Sequence, residues 1–338
     1  MLHELMQWPV KLHEGATLAR NFLAQHASRL PASPYNIVFV GMGGSGIAGR
    51  IFGTLLDRSG SLPAHIIGGT HIPAYVTNQS LVFVTTYSGN TWETLDALKV
   101  LVGRGITPVV LAHGGQAEAI ARAHDLPYVK LPASLQPRTA LGHFLGFYAK
   151  LFYDLGFIAS DSLVRQWEET ASACLKLYSQ PGTHAEFLKI AHGYDVFHVW
   201  GVSDDAAPAA YRATTQFNEN AKAQAVYGAF PELAHNLLVG FQKFEQPPLV
   251  LWYATQFLTG NMARGVAVLH DVLHEAGAVL YKIPVFGDTF ENQLISMVLW
   301  TDFASYYLGH ERGVDTQRVR IIEELKNRQQ TSGIFVEV

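Results

Sequence analysis

The chain has 338 residues, 49% apolar and 15% charged, with a formal net charge of −4 and a single cysteine, Cys174. That length suits two domains of roughly 150 residues, the composition argues against disorder, and the charge, with no long basic run, argues against a nucleic-acid-binding face. One cysteine excludes an intrachain disulfide or a cysteine-based zinc site and points to the cytosol.

The first residues, MLHELMQWPVKLHEGATLARNFL, place apolar residues at helical spacing among charged ones, which is not the pattern of a signal peptide. No run approaches about 18 apolar residues, so no membrane span is expected. The fifteen histidines are scattered without an H-E-x-x-H spacing, so neither a metal site nor a cofactor is read from them. After a break at Pro31 to Pro34, Ile37 to Gly49 reads IVFVGMGGSGIAG: a buried parallel strand, a glycine turn, and a helix over Ile47 to Leu56. Unpaired amides at that helix start, with glycines that let a ligand approach the backbone, make an anion the natural guest. A tight turn without ligand is the plain alternative. Gly41, Gly43 and Gly46 also fit G-x-G-x-x-G, but no acidic residue ends a clear second strand about twenty residues on, and Ser45 suits a phosphate monoester.

A strand at Leu81 to Thr85 ends in Thr86-Tyr-Ser-Gly-Asn-Thr91, followed by a helix from Glu93 to Val102. Thr86, Ser88 and Thr91 could donate to phosphate oxygens, or Ser88 or Thr91 could cap the helix. Strands at Val109 to His113 and Tyr128 to Leu131 flank a helix from Gln116 to Ala123, and Pro137-Arg138-Thr139 introduces an apolar helix from Ala140 to Leu155. Arg138 alone reads equally as a surface arginine. The pattern then restarts: Tyr194-Asp-Val-Phe-His-Val-Trp-Gly201 echoes Tyr35-Asn-Ile-Val-Phe-Val-Gly41, and strands follow at Leu249 to Tyr253 and Ala278 to Ile283. These elements predict an α/β chain of two tandem doubly wound domains, residues 1–158 and 159–338, each a parallel sheet flanked by helices. The second glycine exit continues Val-Ser-Asp204-Asp205, and two carboxylates there would repel a phosphate. One phosphate site per chain is therefore expected.

Thr214 to Gly240 is polar for its setting: Glu219 lies between asparagines, Lys222 follows three residues on, and Pro231-Glu232 precedes His235-Asn236. A carboxylate that moves a proton between adjacent carbons and a group that opens a sugar ring are what aldose–ketose isomerisation needs. Glu219 with Lys222 on one helical face reads equally as a surface pair, and His235 as a packing residue.

Together GMGGSGIAG, TYSGNT, PRTALG, FNENAKA…PELAHN and RGVD…IEELK resemble the bifunctional phosphoglucose/phosphomannose isomerases of the sugar isomerase (SIS) superfamily, in the family's order from residue 41 to residue 326. The resemblance implies that Gly44, Ser45, Thr86, Ser88 and Thr91 hold the sugar 6-phosphate. It also implies that Arg138 stabilises a cis-enediolate, Glu219 moves the proton, His235 assists ring opening and Lys326 reaches the site from the C-terminus. In related isomerases the histidine comes from the neighbouring subunit, which implies a homodimer with shared sites. The mechanism expected from the resemblance uses no metal and no redox cofactor. Where the family often reads RGVDPTP, this chain reads Arg312-Gly-Val-Asp-Thr316-Gln317-Arg318. The rivals are a noncatalytic sugar-phosphate sensor of the same fold, an isomerase of another sugar phosphate, and a nucleotide-dependent dehydrogenase.

Overall fold

The computed structural model describes residues 1–59, 62–134, 136–242 and 244–333. It has two compact units, one of Val10–Arg165 with the chain from Val319 onward, the other of Met1–Pro9 with Gln166–Arg318. The division falls inside the Leu163–Tyr178 helix, a few residues after the 158 of the sequence reading, and each end of the chain joins the opposite unit.

The first unit is built on five parallel strands, β1 Asn36–Gly41, β2 Ala64–Ile67, β3 Ser80–Thr85, β4 Val109–Ala112 and β5 Tyr128–Lys130, in the order β2-β1-β3-β4-β5. Strands β1 and β3 pair residue for residue from Asn36 opposite Ser80 to Gly41 opposite Thr85, and every residue of both is buried. Burial on two faces is why these segments read as unbroken apolar runs. Side chains still alternate between faces. Val38, Val40, Val82 and Val84 pack with Leu95, Leu98 and Leu101 of the Trp92–Gly103 helix. Phe39 and Phe83 meet Tyr148 of the Leu141–Asp154 helix edge-on, at ring-centroid distances of 5.2 and 5.1 Å.

The second unit has four parallel strands, β6 Val196–Gly201, β7 Gln224–Ala229, β8 Leu249–Tyr253 and β9 Val279–Lys282, in the order β7-β6-β8-β9. This repeats the β2-β1-β3-β4 part of the first sheet, so the echo heard in the two aromatic-to-glycine strands reflects two copies of one topology. The Ala207–Ala221 and Phe290–Glu311 helices pack together around a buried ion pair: Arg212 Nε and Nη2 donate to the two Asp302 oxygens at 2.9 and 2.8 Å. Gln216 and Trp8 donate to the same carboxylate.

Two strands escaped the sequence reading. Both are edges: β2 is short and half-buried, and β7 alternates exposed and buried positions within the polar stretch. The β2 strand ends Ile67-Gly-Gly69 without an acidic residue, which sustains the argument against a dinucleotide. The helix after the glycine turn begins at Gly43, not Ile47, because the glycines themselves form its first turn. Among the described residues no helix is long and apolar enough to cross a membrane.

Candidate active site

In the first sheet the connections out of β1 and β3 run to opposite sides, the point where open α/β sheets leave a crevice beyond the strand ends. Both hydroxyl-bearing turns lie there. Gly43, at φ 51°, lets the chain turn straight from β1 into the Gly43–Ser59 helix, whose positive end faces the crevice. Ser45 Oγ accepts the Tyr87 backbone N–H at 3.0 Å, which ties the glycine turn to the second turn. A hydroxyl that accepts from the backbone keeps its own proton to donate.

The second turn is organised in the same way. Ser88 is exposed and its Oγ accepts the Asn90 N–H at 3.3 Å. Thr91 occupies the N-cap of the Trp92–Gly103 helix but makes no side-chain capping bond; the buried Thr86 hydroxyl donates to it at 3.3 Å instead. Thr86 thus lies beneath Thr91, with Ser88 and Thr91 as the outer hydroxyls.

Arg138 is no surface arginine. It is only 2% exposed, in the Pro137–Ala140 turn ahead of the Leu141–Asp154 helix. A Cβ on Gly44 would sit 3.0 Å from its Cα, so the glycine turn and the arginine turn touch through their backbones. The structure therefore brings Gly44, Ser45, Thr86, Ser88, Thr91 and Arg138 into one neighbourhood of one unit.

Glu219 and His235 belong to the other unit. Glu219 is half-buried in the last turn of the Ala207–Ala221 helix. Lys222 is not its helical neighbour, as the spacing suggested. The helix ends before it, and Lys222 takes the left-handed conformation at φ 52° as the cap, its Nζ donating back to the Glu219 carbonyl at 2.5 Å and to the Arg318 carbonyl at 2.7 Å. Asn218 fixes this helix end against the start of β7, its amide group exchanging hydrogen bonds with the Ala225 N–H and C=O, both at 3.2 Å. His235 is exposed in the Glu232–His235 turn beyond the other end of β7. Six residues of strand lie between, spanning five steps of about 3.3 Å, roughly 17 Å. One copy of this unit holds the carboxylate and the imidazole at opposite ends of a strand.

Lys326 is exposed on the Arg320–Thr331 helix, which groups with the first unit. The turn before that helix, where the usual family sequence is absent, has its own support. Asp315 Oδ1 accepts the Gln317 and Arg318 N–H groups at 2.8 and 3.1 Å, which holds its carboxyl below the ordinary aspartate range.

Residues 32–136 match the SIS domain, and residues 184–328 match the bacterial phospho-glucose isomerase C-terminal SIS domain. The bifunctional phosphoglucose/phosphomannose isomerase of Aquifex aeolicus is 30% identical over 299 residues, covering 87% of this chain and 90% of that protein. The chain belongs to the bifunctional phosphoglucose/phosphomannose isomerase family. A second member, from Thermoplasma acidophilum, is 29% identical over 298 residues, 87% of this chain and 89% of that protein. The fold of this isomerase-family chain is also that of the C-terminal domain of glucosamine-fructose-6-phosphate aminotransferase from Francisella tularensis, at a TM-score of 0.70 and 14% identity, over 94% of this chain and 97% of that one.

Two features of this family member escaped the sequence reading. The Tyr87 N–H that joins the two turns carries no side-chain signal. The Asp315 turn did carry one, an aspartate followed by two N–H-bearing residues at the spacing of an Asx turn.

Proposed function

We infer that the protein is a sugar-phosphate aldose–ketose isomerase that interconverts glucose 6-phosphate and mannose 6-phosphate with fructose 6-phosphate. The observation that carries the reading is the pair of hydroxyl turns at the ends of β1 and β3, joined by the Ser45–Tyr87 bond and backed by Arg138. The phosphate sits at the start of the Gly43–Ser59 helix, taking donors from Ser45, Ser88 and Thr91, with Thr86 setting the Thr91 hydroxyl. Binding the non-reacting phosphate orients the open-chain sugar, so that this binding energy serves the chemical step.

His235 assists ring opening. The Glu219 carboxylate then removes the C2 proton of the aldose, the C2–H electrons form the C1–C2 double bond as the carbonyl pair moves onto O1 to leave a cis-enediolate, the O2 hydroxyl proton passes to O1, and the carbon-bound proton returns to C1 as C2=O forms to give the ketose. Arg138 offsets the charge that develops on the oxygens, and Lys326 adds a second cation from the C-terminal helix. Because C2 is planar in the intermediate, reprotonation there from either face yields glucose or mannose configuration.

Glu219 and His235 flank β7 at opposite ends, so the reading calls for a homodimer in which the histidine of one copy serves the carboxylate of the other. The decisive assay supplies fructose 6-phosphate and follows glucose 6-phosphate and mannose 6-phosphate separately, beside Glu219→Gln. Both products should form with wild type, and the variant should lose about 10²–10⁴ in kcat, the range for a general acid–base group. Absence of both products, with fructose 6-phosphate still raising the Tm, would leave a sugar-phosphate-binding protein and remove the isomerase reading.

A further inference from the structure

Lysine is rarely buried, yet Lys11 is 5% exposed. Its Nζ donates to the Thr139 carbonyl at 2.8 Å. Thr139 follows Arg138 in the Pro137–Ala140 turn, so an ammonium from the Trp8–His26 helix is bonded one residue from the candidate enediolate-stabilising group.

The contact is built into how two helices meet. One turn along, Glu14 Oε2 and the buried His143 Nε2 lie 2.8 Å apart, a second polar clamp parallel to the first. Next to it the backbones themselves touch: a Cβ on Gly15 would fall 2.2 Å from the His143 oxygen, and one on Gly146 2.0 Å from the Leu12 oxygen. Any larger residue at either place would force the helices apart. That close approach brings the lysine stem within reach of the Thr139 carbonyl. The Arg138 backbone thus has Gly44 against it and Lys11 bonded to the next carbonyl. Bonds from a charged donor are roughly twice as strong as neutral ones.

We propose that Lys11 is a positioning residue for Arg138, fixing the Pro137–Ala140 turn against the glycine loop so that the guanidinium is in place when the enediolate forms. The proposal rests on the reading of Arg138 given above. Lys11 acts on the turn and does not touch the sugar, so its loss should appear in kcat and not in phosphate binding.

The test is a double-mutant cycle on the full-length protein with fructose 6-phosphate, combining Lys11→Met with Arg138→Lys. Lys11→Met should lower kcat by about 10- to 100-fold, the scale of a displacement near 1 Å in a site, with KM and inhibition by inorganic phosphate near wild type. In the Arg138→Lys background the same change should cost less than about twofold, because the group it positions is already compromised. Lys11→Arg, which keeps a charged donor, should recover most of the lost kcat. An equal kcat loss in both backgrounds would overturn the positioning role while leaving Arg138 intact as a catalytic group. Wild-type kcat in Arg138→Lys alone would overturn the reading of Arg138 and this proposal with it. If Lys11→Met does not fold, Lys11→Gln takes its place in the same cycle under the same criteria.

Discussion

Two sheets of one strand order meet their first loop in opposite ways. After β1 the chain reads Gly41-Met-Gly-Gly-Ser45, and Ser45 ties its hydroxyl to the neighbouring turn. After β6 it reads Gly201-Val-Ser-Asp204-Asp205, and Ser203 accepts the local Ala206 N–H at 3.3 Å. The backbone solution is shared while the chemistry is not. Asp204 is exposed just beyond β6, where a carboxylate would repel an anion, so in the proposed reading the second sheet serves as a scaffold that carries Glu219 and His235 on its flanks. Under the proposed reading a repeated fold does not imply a repeated site, and the side chains at one turn would decide which copy binds.

The scaffold role of the second unit predicts that its largest vulnerability is structural. Arg212→Met leaves Asp302 in the interior without its bidentate partner, and should cost about 3–5 kcal/mol, read as a lower urea midpoint at unchanged m. A loss under about 1 kcal/mol would mean that the pair matters little to this unit. Next, Ser45→Ala should raise KM for fructose 6-phosphate about tenfold or more, as for loss of a hydrogen bond to a charged group. The matching change Ser203→Ala should leave KM alone and cost about 0.5–1 kcal/mol of stability. Equal rises in KM would erase the distinction between the sheets.

The smallest effect concerns the Asp315 turn. Its carboxyl is held below the ordinary aspartate value of 3.8, first by the Gln317 N–H and then by that of Arg318. A depressed folded value means the stabilisation is fully present above the unfolded value and is lost as the pH falls through the folded one. The Gln317 and Arg318 amide proton shifts should accordingly titrate with a midpoint below 3.8. A midpoint above it would show that these bonds do not favour the ionised form.

The fold was legible wherever strands are buried on both faces, because such strands are apolar almost without interruption; β1, β3, β4 and β8 follow from that pattern, while β6, with Val196 exposed, was found by its echo of β1. The edge strands β2 and β7 were hidden because a half-solvated edge carries ordinary polar residues such as His65 and Gln224. The site was legible as a set of residue types and not as an arrangement. Ser45 and Thr91 announce a hydroxyl-lined turn, but nothing in the sequence says that Arg138 is buried behind Gly44, since that contact is made by backbone atoms far apart in the chain. Lys222 shows the opposite error. Its spacing from Glu219 promises a shared helical face, but the helix stops at Ala221, where a left-handed cap turns the chain into β7.

The β7 strand has a second office. It pairs with β6 along its whole length, from Gln224 opposite Val196 to Ala229 opposite Gly201, and it is also the spacer between the helix end that bears Glu219 and the turn that bears His235. Loss of one residue would shorten that spacer by about 3.3 Å and turn the remaining side chains to the wrong face. An insertion would lengthen it by as much and flip the faces in the same way. Surface loops tolerate gain and loss of residues; this half-buried edge strand is a ruler whose divisions cannot be changed one at a time.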